Sequence, residues 1–174
     1  MGITLVDAES GAQPPAEMLS VHYEEFRRVA RRVLNGDAQA LQIQPTDLAH
    51  EAAIRIAGFN QMSVDGRTHF LSLSARVMRQ ILIDEIRRMR ARKRQAPVET
   101  QWPQGAIGRV DLEALDTALT KLEAISPQLA SIVERRFFAG LTLDEIAAND
   151  GISESTVKRQ WRAARAWLAA ELTD

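Results

Sequence analysis

The sequence predicts an all-α chain, with two small helical domains joined by a flexible linker. Ala, Leu, Arg and Glu dominate its 174 residues, whereas aromatic residues make up only 5%. The dominant types are good helix formers. Apolar residues recur at helical spacing on both sides of residues 95–110. That interval has no helical period and contains Pro97, Pro103, Gly105 and Gly108, a composition typical of a linker.

The linker separates a predicted N-terminal domain at 16–94 from a predicted C-terminal domain at 111–174, and a disordered N-terminus is predicted at 1–15. This N-terminus is acidic and has no apolar core, so it is not a secretion signal. No stretch approaches the roughly 20 apolar residues that a membrane span needs. We therefore expect a cytoplasmic protein with no membrane partner. The absence of cysteine excludes disulfide frameworks and thiolate metal sites.

Three helices are predicted in the N-terminal domain. The second begins after Pro45, with Thr46 as its N-cap and Asp47 in its first turn, and ends at about residue 56. The third, at about 69–92, is the longest, and its two apolar rows lie opposite a face rich in arginine. The first covers about 16–34, and its apolar stripe comprises Leu19, Tyr23, Phe26, Ala30 and Val33.

The C-terminal domain begins with two predicted helices, at about 112–124 and from Ser126 to about residue 139. The segment TLDEIAANDGISESTVKRQWR at 142–162 follows them and has the spacing of a helix-turn-helix. Thr142 and Ser153 are the predicted N-caps, and Gly151 supplies the turn because it can adopt a positive φ.

The second helix of this motif has two different faces. Val157 and Trp161 stand at i and i+4 and are predicted to face the first helix. The opposite face is polar and basic, which suits the major groove of DNA. A purely structural pair of helices is the alternative. The predicted DNA-facing residues are Ser155, Thr156, Lys158, Arg159, Arg162 and Arg165.

Charge is distributed unevenly along a chain whose net charge is only −1. Eight Arg and Lys residues crowd the segment 76–94, and a second basic run lies in the helix-turn-helix. Two separated cationic faces predict two contacts with one polyanion; the alternative is that each run is a solvated helix face. Acidic residues collect elsewhere, at Asp111, Glu113, Asp116 and Glu123.

Signals for an enzyme are absent from the sequence. The three histidines fall on different predicted elements, and only the weak pair Asp47 and His50 has metal-ligand spacing. There is no Gly-rich phosphate loop and no nucleophile elbow. We therefore predict no catalytic residue, no metal and no cofactor.

The order of these parts resembles the sigma factors of the extracytoplasmic-function (ECF) group, which recruit bacterial RNA polymerase to promoters. QPTDLAHEAAIRI at 44–56 is similar to family region 2.2, and HFLSLSARVMRQILIDEIRRMRARKR at 69–94 to regions 2.3 and 2.4. The segment beginning LEALDTALTKLEAI at 112 resembles regions 4.1 and 4.2. Its motifs ERRFFAGLTLDEIA and STVKRQWRAARAWL are the most specific.

The resemblance implies that core RNA polymerase is a partner, through its β′ coiled coil and its β flap. Asp47 and Glu51 would meet the basic coiled coil, although Asp47 also suits a simple helix-dipole role. His50 stands where the family commonly has an acidic or amide residue, and Ala53 where it has a larger apolar one. Some groups that are poor in acidic residues here gain charge by threonine phosphorylation. A Ser/Thr kinase is therefore an alternative to the usual anti-sigma factor as the controlling partner.

The resemblance also implies a second contact with promoter DNA, at the −10 element. Gln80 stands where the family commonly uses Asn to line the pocket for a flipped base, and an amide can both donate and accept hydrogen bonds there. The alternative is a solvated amide. The arginines implied to hold phosphates are Arg76, Arg79, Arg87 and Arg88.

Two functions are consistent with the sequence. The first is a sigma factor that melts the −10 element with its N-terminal domain and reads the −35 element with its helix-turn-helix. The second is a free-standing helix-turn-helix regulator whose N-terminal bundle senses a signal or dimerises. A sensor bundle has no need for a second, arginine-rich nucleic-acid face, which favours the sigma factor.

Overall fold

A computed structural model describes residues 13–34, 43–59, 62–92, 99–101 and 109–173. Helices dominate these residues, so the prediction of an all-α fold is confirmed. No helix in the described ranges is long and apolar enough to cross a membrane. The N-terminal part contains α1 (Pro15–Val21), α2 (Tyr23–Val33), α3 (Pro45–Ala57) and α4 (Gly66–Arg92). The C-terminal part contains α5 (Leu112–Ile125), α6 (Pro127–Val133), a π-helical segment (Glu134–Ala139), α7 (Leu143–Asp150) and α8 (Glu154–Glu171).

The N-terminal part is a bundle packed around α4. The apolar rows of α4 are buried as predicted except at Leu73 and Met89, which are partly buried, and they meet buried side chains from α2 and α3. Phe26 and Phe70 contact each other with ring centroids 6.1 Å apart. The largest fully buried side chains of this bundle are Phe26, Leu48, Ile56, Phe70, Met78, Leu82 and Ile86.

The single helix predicted at 16–34 is wrong, because the structure has two helices separated at His22. His22 lies outside the helical region, at φ −112° and ψ 27°, and its ring contacts Glu25 at 3.0 Å. Tyr23, predicted on the apolar stripe, is the first residue of the second helix and is 53% exposed, whereas Phe26, Ala30 and Val33 of the same helix are buried.

The two other N-terminal helices begin earlier than predicted. The N-cap of α3 is Gln44 rather than Thr46, and Pro45 occupies the first turn, where a missing N–H has no cost. Asp47 completes a capping box by accepting a hydrogen bond from the Gln44 backbone N–H, 3.4 Å away. Helix α4 begins at Gly66, whose φ is +73°.

Short strands flank part of the predicted linker. β1 (Glu99–Gln101) pairs with β2 (Arg109–Asp111) in antiparallel register, with Glu99 opposite Asp111. The rest of the predicted linker, at 95–98 and 102–108, lies outside the described residues. Of the predicted disordered N-terminus at 1–15, residues 1–12 also lie outside the described residues, whereas Gln13 forms an antiparallel β-bridge with Val64 and Pro15 begins α1.

The C-terminal part is a second bundle, with a core that includes Leu115, Leu122, Ile132 and Phe138. The helix predicted to end near residue 139 does end there, but its last turn is π-helical. Gly140 stops it in the left-handed region, at φ +71°, a conformation that favours glycine.

The two parts pack against each other through the π-helical segment, which contacts α2 and α4. Phe138 from this segment is buried, and the guanidinium of Arg79 lies 5.6 Å from the centre of its ring. Arg32 of α2 donates a hydrogen bond to the carbonyl oxygen of Ala139, 3.1 Å away. The interface therefore combines apolar burial with arginine contacts from the N-terminal part.

Candidate nucleic-acid interfaces

The helix-turn-helix forms from α7 and α8 as the sequence predicts. Thr142 Oγ1 accepts from the Glu145 backbone N–H at 3.1 Å, and the Glu145 carboxylate accepts from the Thr142 N–H at 2.7 Å. These reciprocal bonds make a capping box. Gly151 ends α7 at φ +64°, which confirms its predicted role in the turn.

Helix α8 is held in one rotational position. Ser153 caps it by accepting from the Thr156 backbone N–H at 3.3 Å. Val157 and Trp161 are buried against the first helix of the motif, where Ile146 is also buried. This rotation leaves the predicted DNA-facing side of α8 on the outside of the domain.

The predicted DNA-facing residues of α8 differ in exposure. Ser155, Lys158, Arg159 and Arg162 are exposed, whereas Thr156 and Arg165 are partly buried. Lys158 binds the carboxylate of Glu154 at 2.7 Å, and this contact raises the pKa of Lys158 and lowers that of Glu154. Arg165 lies 5.9 Å from the centre of the Trp161 ring. The outer face therefore presents Arg159 and Arg162 together with the hydroxyl side chains of Ser155 and Thr156.

An ion pair that the sequence analysis missed connects the motif to the helical segment that precedes it. Arg135 in the π-helical segment binds both carboxylate oxygens of Asp150, at 2.6 and 2.7 Å. The hydrogen bonds from Arg135 lower the pKa of Asp150. This bidentate pair fixes the end of α7 next to the turn.

The arginine-rich face of α4 forms ion pairs with the C-terminal part, and of its arginines Arg79 is buried whereas Arg76 and Arg87 remain exposed. Arg79 is only 8% exposed, and its guanidinium lies 2.8 Å from the carboxylate of Glu134. Arg76 contacts both Glu123 and Glu134, at 3.2 and 3.3 Å. Three of the residues predicted to contact the −10 element, Arg76, Arg79 and Arg87, thus have carboxylate partners from the C-terminal part.

The same pattern continues toward the end of α4. Arg87 contacts Asp116 at 3.2 Å and Glu113 at 3.9 Å. Arg90 contacts Asp111 at 2.9 Å and also pairs with Glu113. We call Arg76, Arg79, Arg87 and Arg90 the arginine face. We call Asp111, Glu113, Asp116, Glu123 and Glu134 the acidic face.

Within the described residues, the remaining predicted −10 residues form no pair with the acidic face. Gln80 is exposed on α4. Arg88 is exposed and binds Glu85 on its own helix at 2.9 Å. Sequence analysis recognised both the arginine run and four members of the acidic face, but it missed Glu134 and the pairing between the two faces.

A separate acidic surface is present on α3. Asp47 and Glu51 are exposed on one side of the helix, opposite the buried Leu48 and Ile56. Ile54, which sequence analysis missed, lies on the same side at i+3 from Glu51 and is 64% exposed. The exposed surface thus combines carboxylates with an apolar side chain.

The two acidic residues of α3 have different local partners. Glu51 binds Arg55 one turn along the helix, at 3.4 Å. Asp47 is part of the capping box at the start of α3. A structural role is therefore supported for Asp47, whereas the Glu51 contact is an exposed i, i+4 pair that contributes little to stability.

A second cluster of ion pairs lies near Gly140, and one of its pairs, Arg67 with Glu145, joins the two parts. Arg67 of α4 binds the Glu25 carboxylate through its Nε at 2.8 Å and the Glu145 carboxylate through its Nη1 at 3.0 Å. Its hydrogen bonds lower the pKa of Glu25. The pKa of Glu145 is lowered first by the Thr142 backbone N–H and then by Arg67.

Comparison with known proteins identifies a family that covers nearly the whole chain. A protein-family model described as ECF sigma factor matches residues 4–174, which includes both helical parts and the residues between them. A search of curated proteins found no match. Within the described ranges, no group of three or more His, Cys, Asp or Glu side chains is placed to hold a metal ion.

Proposed function

This chain belongs to the ECF sigma factor family, and we propose which of its surfaces contacts core polymerase and which contact promoter DNA during transcription initiation. A member of this family is a DNA-binding initiation factor and not an enzyme, and its partners are core RNA polymerase and promoter DNA. Sigma factors act where the polymerase is, so the proposed location is the cytoplasm. The N-terminal part melts the −10 element, and the C-terminal helix-turn-helix reads the −35 element.

The proposed contact with core polymerase is the exposed side of α3. Asp47 and Glu51 supply negative charge for the basic β′ coiled coil, and Ile54 supplies an apolar contact beside them. Complementary charge speeds docking, while a buried apolar side chain at its centre adds affinity. The C-terminal part is proposed to contact the β flap, in line with the family resemblance.

The proposed −35 reader is the outer face of α8. Arg159 and Ser155 are exposed near the start of this helix, the end that a helix-turn-helix brings to the base edges. Arg162 and Arg165 lie one to two turns further along and are assigned to phosphates. Lys158 and Thr156 complete this contact surface.

The proposed −10 contact uses α4. Gln80 is exposed and is assigned to the flipped base, because its amide can both donate to and accept from a base edge. Arg76, Arg79, Arg87 and Arg88 are assigned to phosphates. The first three of these pair with carboxylates of the C-terminal part. DNA phosphates would replace those carboxylates as the partners of the three arginines.

Two alternatives are proposed for the control of activity: an anti-sigma factor that covers these surfaces, or phosphorylation of a threonine by a Ser/Thr kinase. Thr46 is exposed in the first turn of α3, next to Asp47. A phosphate at this helix N-terminus would be electrostatically favoured and would add negative charge to the proposed polymerase contact.

The observation that carries the proposal is the presence of two cationic DNA-type faces in one chain that the family model matches from residue 4 to 174. Run-off transcription with purified core polymerase on genomic fragments tests it. We expect initiation at defined promoters only when both core and this chain are present. Tight, sequence-specific footprints from the chain alone, with no stimulation of core, would instead support the free-standing regulator.

A further inference from the structure

We propose that the cavity beside Gly140 binds the phosphate group of a small ligand, and that Arg28, Arg32 and Arg136 hold this group. The site goes beyond the proposed function, because none of these arginines is assigned to core polymerase or to promoter DNA. The proposed DNA contacts lie on α4 and α8, whereas these arginines belong to α2 and to the π-helical segment.

The cavity is lined by residues from α2, from the start of α4 and from the end of the π-helical segment. Its volume is about 170 Å³, several times the roughly 30 Å³ that one water occupies in the liquid, so it has room for a phosphate group. Residues 139–141 are part of the lining. The charged side chains of the lining are Glu25, Arg28, Arg32, Arg67 and Glu145.

Positive charge exceeds negative charge around this cavity. Both carboxylates of the lining are bound by Arg67, whose Nε lies 2.8 Å from Glu25 and whose Nη1 lies 3.0 Å from Glu145. Arg28 contacts Glu25 more loosely, at 3.7 Å. With Arg136, whose charge acts on Arg32, four guanidinium groups surround two carboxylates. Two positive charges are therefore left in surplus.

Arg32 and Arg136 are held by backbone carbonyl oxygens rather than by carboxylates. Arg32 Nη1 donates to Ala139 O at 3.1 Å, and Arg136 Nη1 donates to Leu141 O at 3.0 Å. Among the described residues neither arginine has an ion-pair partner, so most of the five N–H donors of each guanidinium remain for a ligand. Gly140 permits this close approach, because a Cβ atom there would overlap the Arg32 guanidinium.

The cavity arginines repel one another when no anion lies between them. Arg28 and Arg32 stand at i and i+4 on α2, and like charges at this spacing oppose a helix. Burial, and then the charges of Arg136 and Arg28, lower the pKa of Arg32. The helix dipole favours a cation in the last turn of α2, but it does not account for Arg136, which comes from another segment. An anion would relieve this repulsion.

A phosphate group matches this arrangement better than a carboxylate does. Guanidinium groups bind both kinds of oxyanion through paired N–H donors. A phosphate monoester carries about −1.5 to −2 charges and three acceptor oxygens, which suits a surplus of two charges and three arginines. Small-ligand sites are concave, whereas a nucleic-acid backbone follows cations along an extended groove. The cavity therefore favours a small ligand.

Calorimetric titration of the full chain with inorganic pyrophosphate, at an ionic strength held constant with chloride, tests the proposal. We expect one saturable site per chain, with a Kd below about 1 mM. Arg32→Gln should weaken binding about tenfold, because the charge-assisted hydrogen bonds of one guanidinium are lost. Pyrophosphate should also raise the unfolding temperature of the wild type more than that of the variant.

Arg31→Gln is the matched control. Arg31 is exposed on the same helix and precedes Arg32, but it does not line the cavity. Because both variants lose one charge, general attraction of anions to the chain falls equally in both. Absence of saturable binding to the wild type, or an equal loss in the two variants, overturns the proposal. If Arg32→Gln does not fold, Arg28→Gln replaces it, since the Arg28 side chain is 62% exposed.

A short DNA duplex without a promoter sequence distinguishes a small-ligand site from a contact with nucleic acid. We expect the duplex to leave pyrophosphate binding unchanged. A duplex that displaces pyrophosphate from the wild type, and that binds less tightly to Arg32→Gln but not to Arg31→Gln, would assign these arginines to a nucleic-acid backbone and overturn the proposal. Transcription with core polymerase is a separate measurement, so failure of the sigma assignment leaves the calorimetric result intact.

Discussion

The guanidinium of Arg79 lies 2.8 Å from the carboxylate of Glu134, and both side chains are almost completely withdrawn from solvent. One belongs to the helix assigned to the −10 element, and the other to the helical segment that precedes the −35 reader. This contact links the two proposed promoter-binding elements within a single chain. The remaining ion pairs between the two faces extend the same link along α4.

Glu51→Ala is expected to weaken binding to core polymerase while leaving thermal unfolding nearly unchanged. The side chain is about half exposed and makes one i, i+4 pair with Arg55, which contributes about 0.3–0.5 kcal/mol. Glu51→Lys should weaken binding further through like-charge contact. The measurement is affinity for core as a function of salt.

The matched control for Glu51 is Glu24→Ala, because Glu24 is also exposed and paired within its own helix, with Arg27 at 3.5 Å. It should not change the affinity for core. A strongly destabilised Glu51→Ala variant with normal affinity per folded molecule would show that the polymerase contact is elsewhere.

Arg159→Ala is expected to cost about 1–3 kcal/mol of promoter binding and to relax the preference for the −35 sequence. Arg162→Ala should instead weaken binding to all −35 sequences alike and reduce the salt dependence by about one phosphate contact. The measurement is binding of the polymerase complex to a panel of −35 variants. Full transcription with unchanged selectivity in Arg159→Ala contradicts this assignment.

Gly140→Ala is expected to destabilise the chain more than Gly151→Ala. Both glycines have positive φ, at +71° and +64°, so each substitution costs about 1–2 kcal/mol of backbone strain. Only at Gly140 would the added methyl group overlap the guanidinium of Arg32, whereas the space at Gly151 is open. The displaced Arg32 then loses its hydrogen bond to Ala139.

Denaturant unfolding of the two glycine variants, each with and without Arg32→Ala, measures this difference. In the Arg32→Ala background the two substitutions should have the same effect, since the overlap is gone. An excess cost at Gly140 that persists without Arg32 would mean that the interface is not its cause.

Acidification is expected to separate the two parts near Arg67 before the bundles unfold. The pKa values of Glu25 and Glu145 are lowered by hydrogen bonds that include those from Arg67. Their stabilising contribution is therefore complete at neutral pH, begins to decline below the ordinary carboxyl pKa of about 4.3, and is lost as the pH falls through the lowered values.

Energy transfer between labels on the two parts, followed from pH 7 downward together with helix content, tests the acid prediction. Arg67→Gln is the control, because it removes the cation that links Glu145 to Glu25. Separation of the two parts should then occur at a higher pH than in the wild type. Identical pH profiles in both proteins would exclude this cluster as a pH-sensitive contact.

The helix-turn-helix could be predicted in detail because its signals are local. Thr142, Gly151 and Ser153 act within one or two turns of their own position, and the burial of Val157 and Trp161 follows from helical spacing. The break at His22 could not be predicted, because no Pro or Gly marks it and the apolar pattern continues across it.

The pairing of the arginine face with the acidic face could not be derived from sequence either. Arg76 and Glu123 are 47 residues apart, and charge complementarity alone does not specify which surfaces meet. Phe138 packs beside Arg79 at the same interface, a contact that no local sequence signal indicates. Acidic residues gathered opposite a basic run of the same chain are nevertheless a signal that such a contact can exist.

Photocrosslinking from position 80 tests the central claim most directly, because Gln80 is exposed on α4 and assigned to the −10 base. A photoreactive residue there should crosslink to the non-template strand of the −10 element in the complex of chain, core polymerase and promoter. The free chain, incubated with the same DNA at the same concentration, should give no such product. Equal crosslinking by the free chain, or none in a complex that transcribes, would contradict the account.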